Sequence, residues 1–249
     1  MSAGFNHIDV GECKKQSVSA GFTPDVLTDT TADLAVALIL SAARRVVESA
    51  AAVKSGEWTS WKPMWMTGKD VHHSRVGIVG LGSIGAAIAR RMLGFSCTIQ
   101  YTGASGPKPD VAEPLGAAYV DMDTLLSSSD FVVLACALTP ETKHLINAAA
   151  LGKMRSDAVL VNIARGEVVQ QDALVAALKE GGILAAGLDV TSPEPLPVDH
   201  PLLSLPNCVV LPHIGSASVP TRELIASMAA DNILAGLAGK PLPFAVPGS

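Results

Sequence analysis

The stretch Val76-Gly77-Ile78-Val79-Gly80-Leu81-Gly82-Ser83-Ile84-Gly85 decides the fold of this chain. Its first four residues are apolar enough for a short buried strand. G-x-G-x-x-G follows at once, and Ala86-Ala87-Ile88-Ala89-Arg90 opens a helix. A turn that wraps a dinucleotide pyrophosphate requires this order. Gly80 permits the tight turn, Gly82 lets the backbone approach the phosphates, and Gly85 lets the helix pack on the strand. The helix N-terminus then offers backbone N–H groups to the anion.

On the C-terminal side of the turn, strand and helix signals alternate. Strands are predicted at 76–80, 97–102, 130–136, 158–163, 184–189 and 207–211, and helices at 83–93, 123–127, 147–153 and 171–180. The near-continuous apolar run Phe131-Val132-Val133-Leu134-Ala135-Cys136 implies a sheet covered on both faces. The pattern predicts an α/β fold, a doubly wound parallel sheet of Rossmann-like type. A final helix is expected over about 221–238.

On the N-terminal side, Thr28 or Asp29 can cap a long helix that runs to about Lys54 and stops at Gly56. Glu57 to His73 holds Trp58, Trp61 and Trp65 with Pro63 and Gly68 and has no period, as in an irregular loop packed on this chain or on another copy. Residues 1–26 are too few for a domain and read as a loop, a short helix and an extended piece. With 219–249 they suggest a remnant of a second, smaller α/β substrate domain, while 27–218 form the dinucleotide-binding domain with a dimerisation segment at about 57–73. Pro24 to Val26 and Pro220 would then be the crossings between the two.

Bulk properties narrow the function. The net charge is −5 over 249 residues with Lys and Arg dispersed, which argues against a nucleic-acid or anionic-membrane surface. Cys13, Cys97, Cys136 and Cys208 are far apart, as befits unpaired thiols in a reducing compartment. No secretory signal is visible, and Leu34 to Ala43 is too short to span a bilayer, so a cytoplasmic protein is expected. His72-His73 has no partner at metal-ligand spacing, and no metal is expected.

Ligands of open α/β sheets bind beyond the carboxyl ends of the strands. Arg165 falls at such an end, as do Asp189, with Glu194 in the loop after it, and His213. Singly, each has a plainer reading as a surface turn, a solvated loop or a loop histidine. Together, at the sheet edge that carries the glycine turn, they mark a site.

These residues lie in ordered motifs. The glycine stretch, Asn162-Ile163-Ala164-Arg165-Gly166, Gly187-Leu188-Asp189-Val190-Thr191-Ser192-Pro193-Glu194-Pro195 and Leu211-Pro212-His213-Ile214-Gly215-Ser216 together resemble the signatures of the D-isomer-specific 2-hydroxyacid dehydrogenases. Thr23 to Thr31 and Trp58-Thr59-Ser60-Trp61-Lys62-Pro63 look closest to the glyoxylate reductase/hydroxypyruvate reductase branch, and the resemblance covers essentially the whole chain. It implies an oxidoreductase that moves a hydride from NADPH to a small 2-keto acid. Arg165 would clamp the carboxylate and carbonyl, His213 would donate the proton, and Glu194 would hold the second ring nitrogen.

By the same resemblance Ser83, Ile84, Thr102, Gly103, Ala104, Ser105, Ala137, Ile163, Asp189 and Gly215 join Gly80, Gly82 and Gly85 around the dinucleotide. Ala3, Gly4 and Ser216 join Arg165 and His213 around the substrate. Trp61 would reach into the partner's site of a homodimer, or simply fill the dimer interface.

Cofactor preference turns on an absent carboxylate. NAD binding calls for an acidic residue at the end of the second strand to hold the ribose hydroxyls. That place reads Gln100-Tyr101-Thr102-Gly103-Ala104-Ser105, and the first acid after it is Asp110. NADPH is therefore expected, with NADH as the alternative and Ser105 or Lys108 as partners for a 2′-phosphate.

The family begins with most of a second domain ahead of a Ser-x-Gly loop, whereas this chain opens at Met1-Ser2-Ala3-Gly4 inside that loop's signature. An N-terminally truncated member is thus expected, with apolar surface uncovered and substrate positioning weakened. Two functions follow from this reading: a 2-keto acid reductase, or a dinucleotide-binding and dimerisation module without turnover.

Overall fold

In a computed structural model, residues 4, 5 and 7–248 are described. They form two compact units, one of Ala32–Ile214 and one of the residues up to Thr31 together with Gly215 onward.

The larger unit is built on a seven-stranded sheet. Its strands are β1 (Arg75–Val79), β2 (Thr98–Thr102), β3 (Ala118–Tyr119), β4 (Phe131–Leu134), β5 (Val159–Asn162), β6 (Ala185–Leu188) and β7 (Cys208–Val210). Their order is β3-β2-β1-β4-β5-β6-β7, and every pairing is parallel. The doubly wound parallel sheet is the fold expected from the strand–helix alternation. Strand order reverses between β1 and β4, which makes the crevice beyond their carboxyl ends the ligand position for this topology.

Side-chain alternation explains why β4 is apolar throughout. Phe131 and Val133 enter one core layer, while Val132 and Leu134 enter the other. The first layer is closed by Leu38 and Ile39 of α2 (Thr28–Ala43) and by Ile88 and Met92 of α4 (Ser83–Leu93). The second is closed by Leu125 and Leu126 of α6 (Met122–Ser128) and by Leu174 and Leu178 of α8 (Gln171–Glu180). Burying each such side chain contributes about 2 kcal/mol. Two short helices, α5 (Pro109–Ala112) and α7 (Ala148–Leu151), complete the crossovers.

Three local expectations are corrected. The helix predicted to run to Lys54 is two helices, α2 and α3 (Val46–Ser55), because Arg45 adopts a left-handed φ of 52°. Lys69 N–H donates to Ala43 O at 2.8 Å, and Gly68 abuts the same carbonyl, so the loop seals the end of α2 from a distance in sequence. Thr28 and Asp29 lie inside the first turn of α2 rather than ahead of it, with Thr28 N–H bonded to Asp25 O at 3.0 Å. Strand β3 was not expected, since both its residues are exposed and only pairing with Gln100 and Tyr101 defines it.

The smaller unit contains α1 (Val10–Lys15) and α9 (Val219–Leu237), which takes Pro220 into its first turn, where the missing N–H costs nothing. Buried Asn232 donates to Phe22 O at 3.1 Å and accepts from Phe244 N–H at 2.9 Å, tying α9 to the antiparallel bridge between Gly21 and Ala245. Among the described residues no helix is long and apolar enough to cross a membrane.

Candidate active site

The turn after β1 is held by Gly80 N–H on Thr102 O at 2.8 Å. Gly80 has φ +100°, and a β-carbon there would lie 2.8 Å from Cys136 Cα and 2.9 Å from Ala135 O, so conformation and space both demand glycine. A β-carbon on Gly85 would strike Gly80 O, which fixes how closely α4 seats on the turn. Gly82 differs: a β-carbon there meets no protein atom within 4 Å. Gly82 is the N-cap of α4 and has no side chain with which to cap it, and Ser83 and Ile84 form its first turn. Open space above a helix N-terminus that begins at glycine fits a dinucleotide pyrophosphate.

At the end of β2, Thr102 is buried, Gly103 half-buried, and Ala104 and Ser105 exposed. The segment after it folds back. Lys108 N–H donates to the Tyr101 hydroxyl at 2.7 Å, and Lys108 Nζ donates to Leu81 O within the glycine turn at 3.1 Å. Beyond β4, exposed Ala137 accepts from Thr142 Oγ1 at 2.7 Å. Past β5, buried Ile163 donates its N–H to Leu134 O at 3.3 Å.

The strand ends also build the polar cluster. Buried Asn162 at the end of β5 donates to Arg165 O at 2.9 Å and accepts from Ala164 N–H at 3.0 Å, which shapes the turn presenting Arg165. Arg165 is half-buried, and its Nη1 donates to Ala164 O at 2.6 Å. Asp189, only 2% exposed at the end of β6, clamps the loop after β7. Its carboxylate accepts from Ile214 N–H at 2.8 Å and its carbonyl accepts from His213 N–H at 2.9 Å. Those two bonds hold His213 at φ +55°.

Glu194 uses both carboxylate oxygens. Oε1 accepts from Thr191 N–H at 3.0 Å, and Oε2 lies 2.8 Å from His213 Nδ1. With Nδ1 donating to the carboxylate, Nε2 is left to face a reactant. Sequence reasoning named Glu194 and His213 but not the Thr191 amide that aims the carboxylate, because a backbone donor leaves no residue-type signal.

Gly4, Gly215 and Ser216 belong to the smaller unit, where Gly215 O accepts from Thr31 Oγ1 at 3.1 Å. Ala3 falls outside the described residues. Trp61, in the loop after α3, is 81% exposed. Among the described residues no three His, Cys, Asp or Glu side chains converge as a metal site. All four cysteines are free, and burial raises the thiols of Cys97 and Cys136 and pushes Cys208 up to about 12.

Known proteins similar to this chain in sequence and in fold are numerous. The chain is 53% identical over 244 residues to the human glyoxylate reductase/hydroxypyruvate reductase, covering 98% of this chain and 74% of that protein. It is 52% identical over 242 residues to the glyoxylate/hydroxypyruvate reductase B of Citrobacter koseri, covering 96% and 74% respectively. The NADPH-dependent glyoxylate/hydroxypyruvate reductase of Sinorhizobium meliloti, solved with NADP and malonate, superposes with a TM-score of 0.89 at 33% identity, covering 99% of this chain and 76% of that one. Residues 36–215 match the NAD-binding domain of the D-isomer specific 2-hydroxyacid dehydrogenases, and the chain belongs to that family.

Proposed function

We propose that this protein reduces a small 2-keto acid, glyoxylate or hydroxypyruvate, to the corresponding 2-hydroxy acid, glycolate or D-glycerate, with NADPH as reductant. The observation that carries the reading is the His213–Glu194 pair, 2.8 Å apart, on the sheet edge that also carries the glycine turn. When bound, the reduced nicotinamide supplies the hydride. Gly80, Gly82 and the first turn of α4 would hold its pyrophosphate. His213, carrying protons on both ring nitrogens, donates the one on Nε2 to the substrate's carbonyl oxygen, and Glu194 accepts from Nδ1 and holds the ring in that orientation. Arg165 offers its planar fork to the substrate carboxylate.

The NADPH preference rests on the end of β2. No acid occurs between Gln100 and Pro109 to repel a 2′-phosphate, and the Lys108 ammonium lies against the glycine turn at Leu81 O. Two similar proteins, from human and Citrobacter koseri, carry glyoxylate and hydroxypyruvate in their names, which supports the substrate class. The exposed Trp58, Trp61 and Met64 support a homodimer through the loop after α3.

The test is turnover by the purified chain of NADPH with hydroxypyruvate or glyoxylate, compared with NADH. We expect NADPH to be preferred and His213→Asn to lower turnover by about two to four orders of magnitude with dinucleotide binding intact. Dinucleotide binding without turnover would mean a binding module instead, and undiminished turnover by His213→Asn would remove that residue from the chemistry.

A further inference from the structure

The Glu194 loop has few ways to hold itself in place. Pro193 and Pro195 flank Glu194 and carry no N–H, so the segment cannot be secured by a regular backbone ladder. One bond within it, Thr191 Oγ1 to Pro193 O at 3.0 Å, joins neighbours and anchors nothing to the sheet.

The anchor comes from outside the loop. Gln171 opens α8, a helix fastened to the core through buried Leu174 and Leu178. Its side-chain amide pairs with both backbone groups of Ser192: Nε2 donates to Ser192 O at 2.6 Å, and Oε1 accepts from Ser192 N–H at 2.8 Å. It thus takes the place of a neighbouring strand. On the other side, a β-carbon on Gly166 would strike the Thr191 carbonyl and come within 2.6 Å of Ser192 N, so the Thr191–Ser192 peptide is seated directly on the turn that follows Arg165.

The adjoining Thr191 N–H orients Glu194 Oε1, and Glu194 Oε2 meets His213 Nδ1. A displacement of the Thr191–Ser192 peptide therefore moves the carboxylate and, through it, the imidazole. We infer that Gln171 is a positioning residue for the His213–Glu194 pair, its side-chain amide locking the peptide whose neighbouring N–H aims the Glu194 carboxylate. The inference rests on the reductase reading of that pair.

A double-mutant cycle separates positioning from general support of the fold. Gln171→Ala, Glu194→Gln and the double variant are compared in the full chain for kcat with hydroxypyruvate, and for NADPH affinity by fluorescence titration. We expect Gln171→Ala alone to lower kcat by about tenfold. We also expect NADPH affinity to stay within about twofold, and the same substitution in the Glu194→Gln background to cost no more than about twofold. Effects that multiply in the two backgrounds, or an unchanged kcat for the single variant, overturn the inference.

Gln171→Glu keeps the length of the side chain and the acceptor for Ser192 N–H while losing the donor to Ser192 O. It should show the same non-additivity if the alanine variant does not fold, and additivity there overturns the inference equally. Full activity of Glu194→Gln would instead bring down the reductase reading of the pair, and the inference with it, whatever Gln171→Ala does.

Discussion

Gly82 and Asp189 mark two extremes of what one residue does at this site. Gly82 has φ −89° and ψ −164°, a backbone any residue adopts, and no protein atom would touch its β-carbon. Nothing in the fold requires glycine there; the proposed pyrophosphate against the backbone would. Gly82→Ala should therefore keep its stability within about 1 kcal/mol while weakening NADPH binding at least about tenfold, read by thermal melting and by titration. Asp189 is the reverse, a buried carboxylate tied to the backbone of the His213 loop. Asp189→Ala leaves Ile214 N–H without its acceptor and the left-handed His213 with one of its two restraints, so a loss of about 1–3 kcal/mol and a large fall in kcat are expected. Asp189→Asn retains the acceptor oxygen and should recover most of the stability in urea unfolding. Gly80, Arg165, Glu194 and His213 stood out in the sequence as candidates because their residue types announce their chemistry. Gln171 was not, since a glutamine at the start of an amphipathic helix has many ordinary uses.

Strands are also joined at their starts. Lys69 Nζ lies 2.9 Å from Asp130 Oδ1, from Asp157 Oδ2 and from Asp157 O, and Arg75 N–H donates to Asp130 Oδ2 at 2.9 Å. The set links the beginnings of β1, β4 and β5 opposite the site. Burial pushes the Asp130 carboxyl up, but the Arg75 amide and the Lys69 ammonium, aided by Arg155, outweigh it and hold it below its ordinary value. The Arg155 guanidinium, with Lys69, holds Asp157 well below the carboxylate range despite some burial. Groups depressed in the folded state add stability that is fully present above their unfolded pKa, about 4, and is lost as pH falls through the folded values. Lys69→Met should cost about 1–2 kcal/mol at neutral pH. The gap in melting temperature between this variant and the parent should close as pH falls below about 4. A gap that stays constant with pH would assign the cost to packing alone. The elements themselves were readable where apolar period and glycine agree, as in α4 and α8. The break at Arg45 was hidden, because Lys69 and Gly68 impose it from another part of the chain.

The whole molecule carries a feature that neither residue nor element accounts for. Trp58, Trp61 and Met64 are 58%, 81% and 78% exposed in one irregular segment, a concentration of apolar surface that suits a second copy. The chain should sediment as a dimer, and Trp61→Glu should shift it to monomer; a parent chain that runs as a monomer would remove the homodimer from the proposal. The sequence by itself determined the parallel sheet, its glycine turn and the identity of the polar residues at the strand ends, because hydrophobic period and turn chemistry act over a few residues. Only the tertiary structure decided how Glu194 is aimed, why His213 sits in a left-handed conformation, and that Lys108 returns to the glycine turn. Each depends on a hydrogen bond between groups far apart or between side chain and backbone, and such bonds exist only once the sheet has brought their elements together.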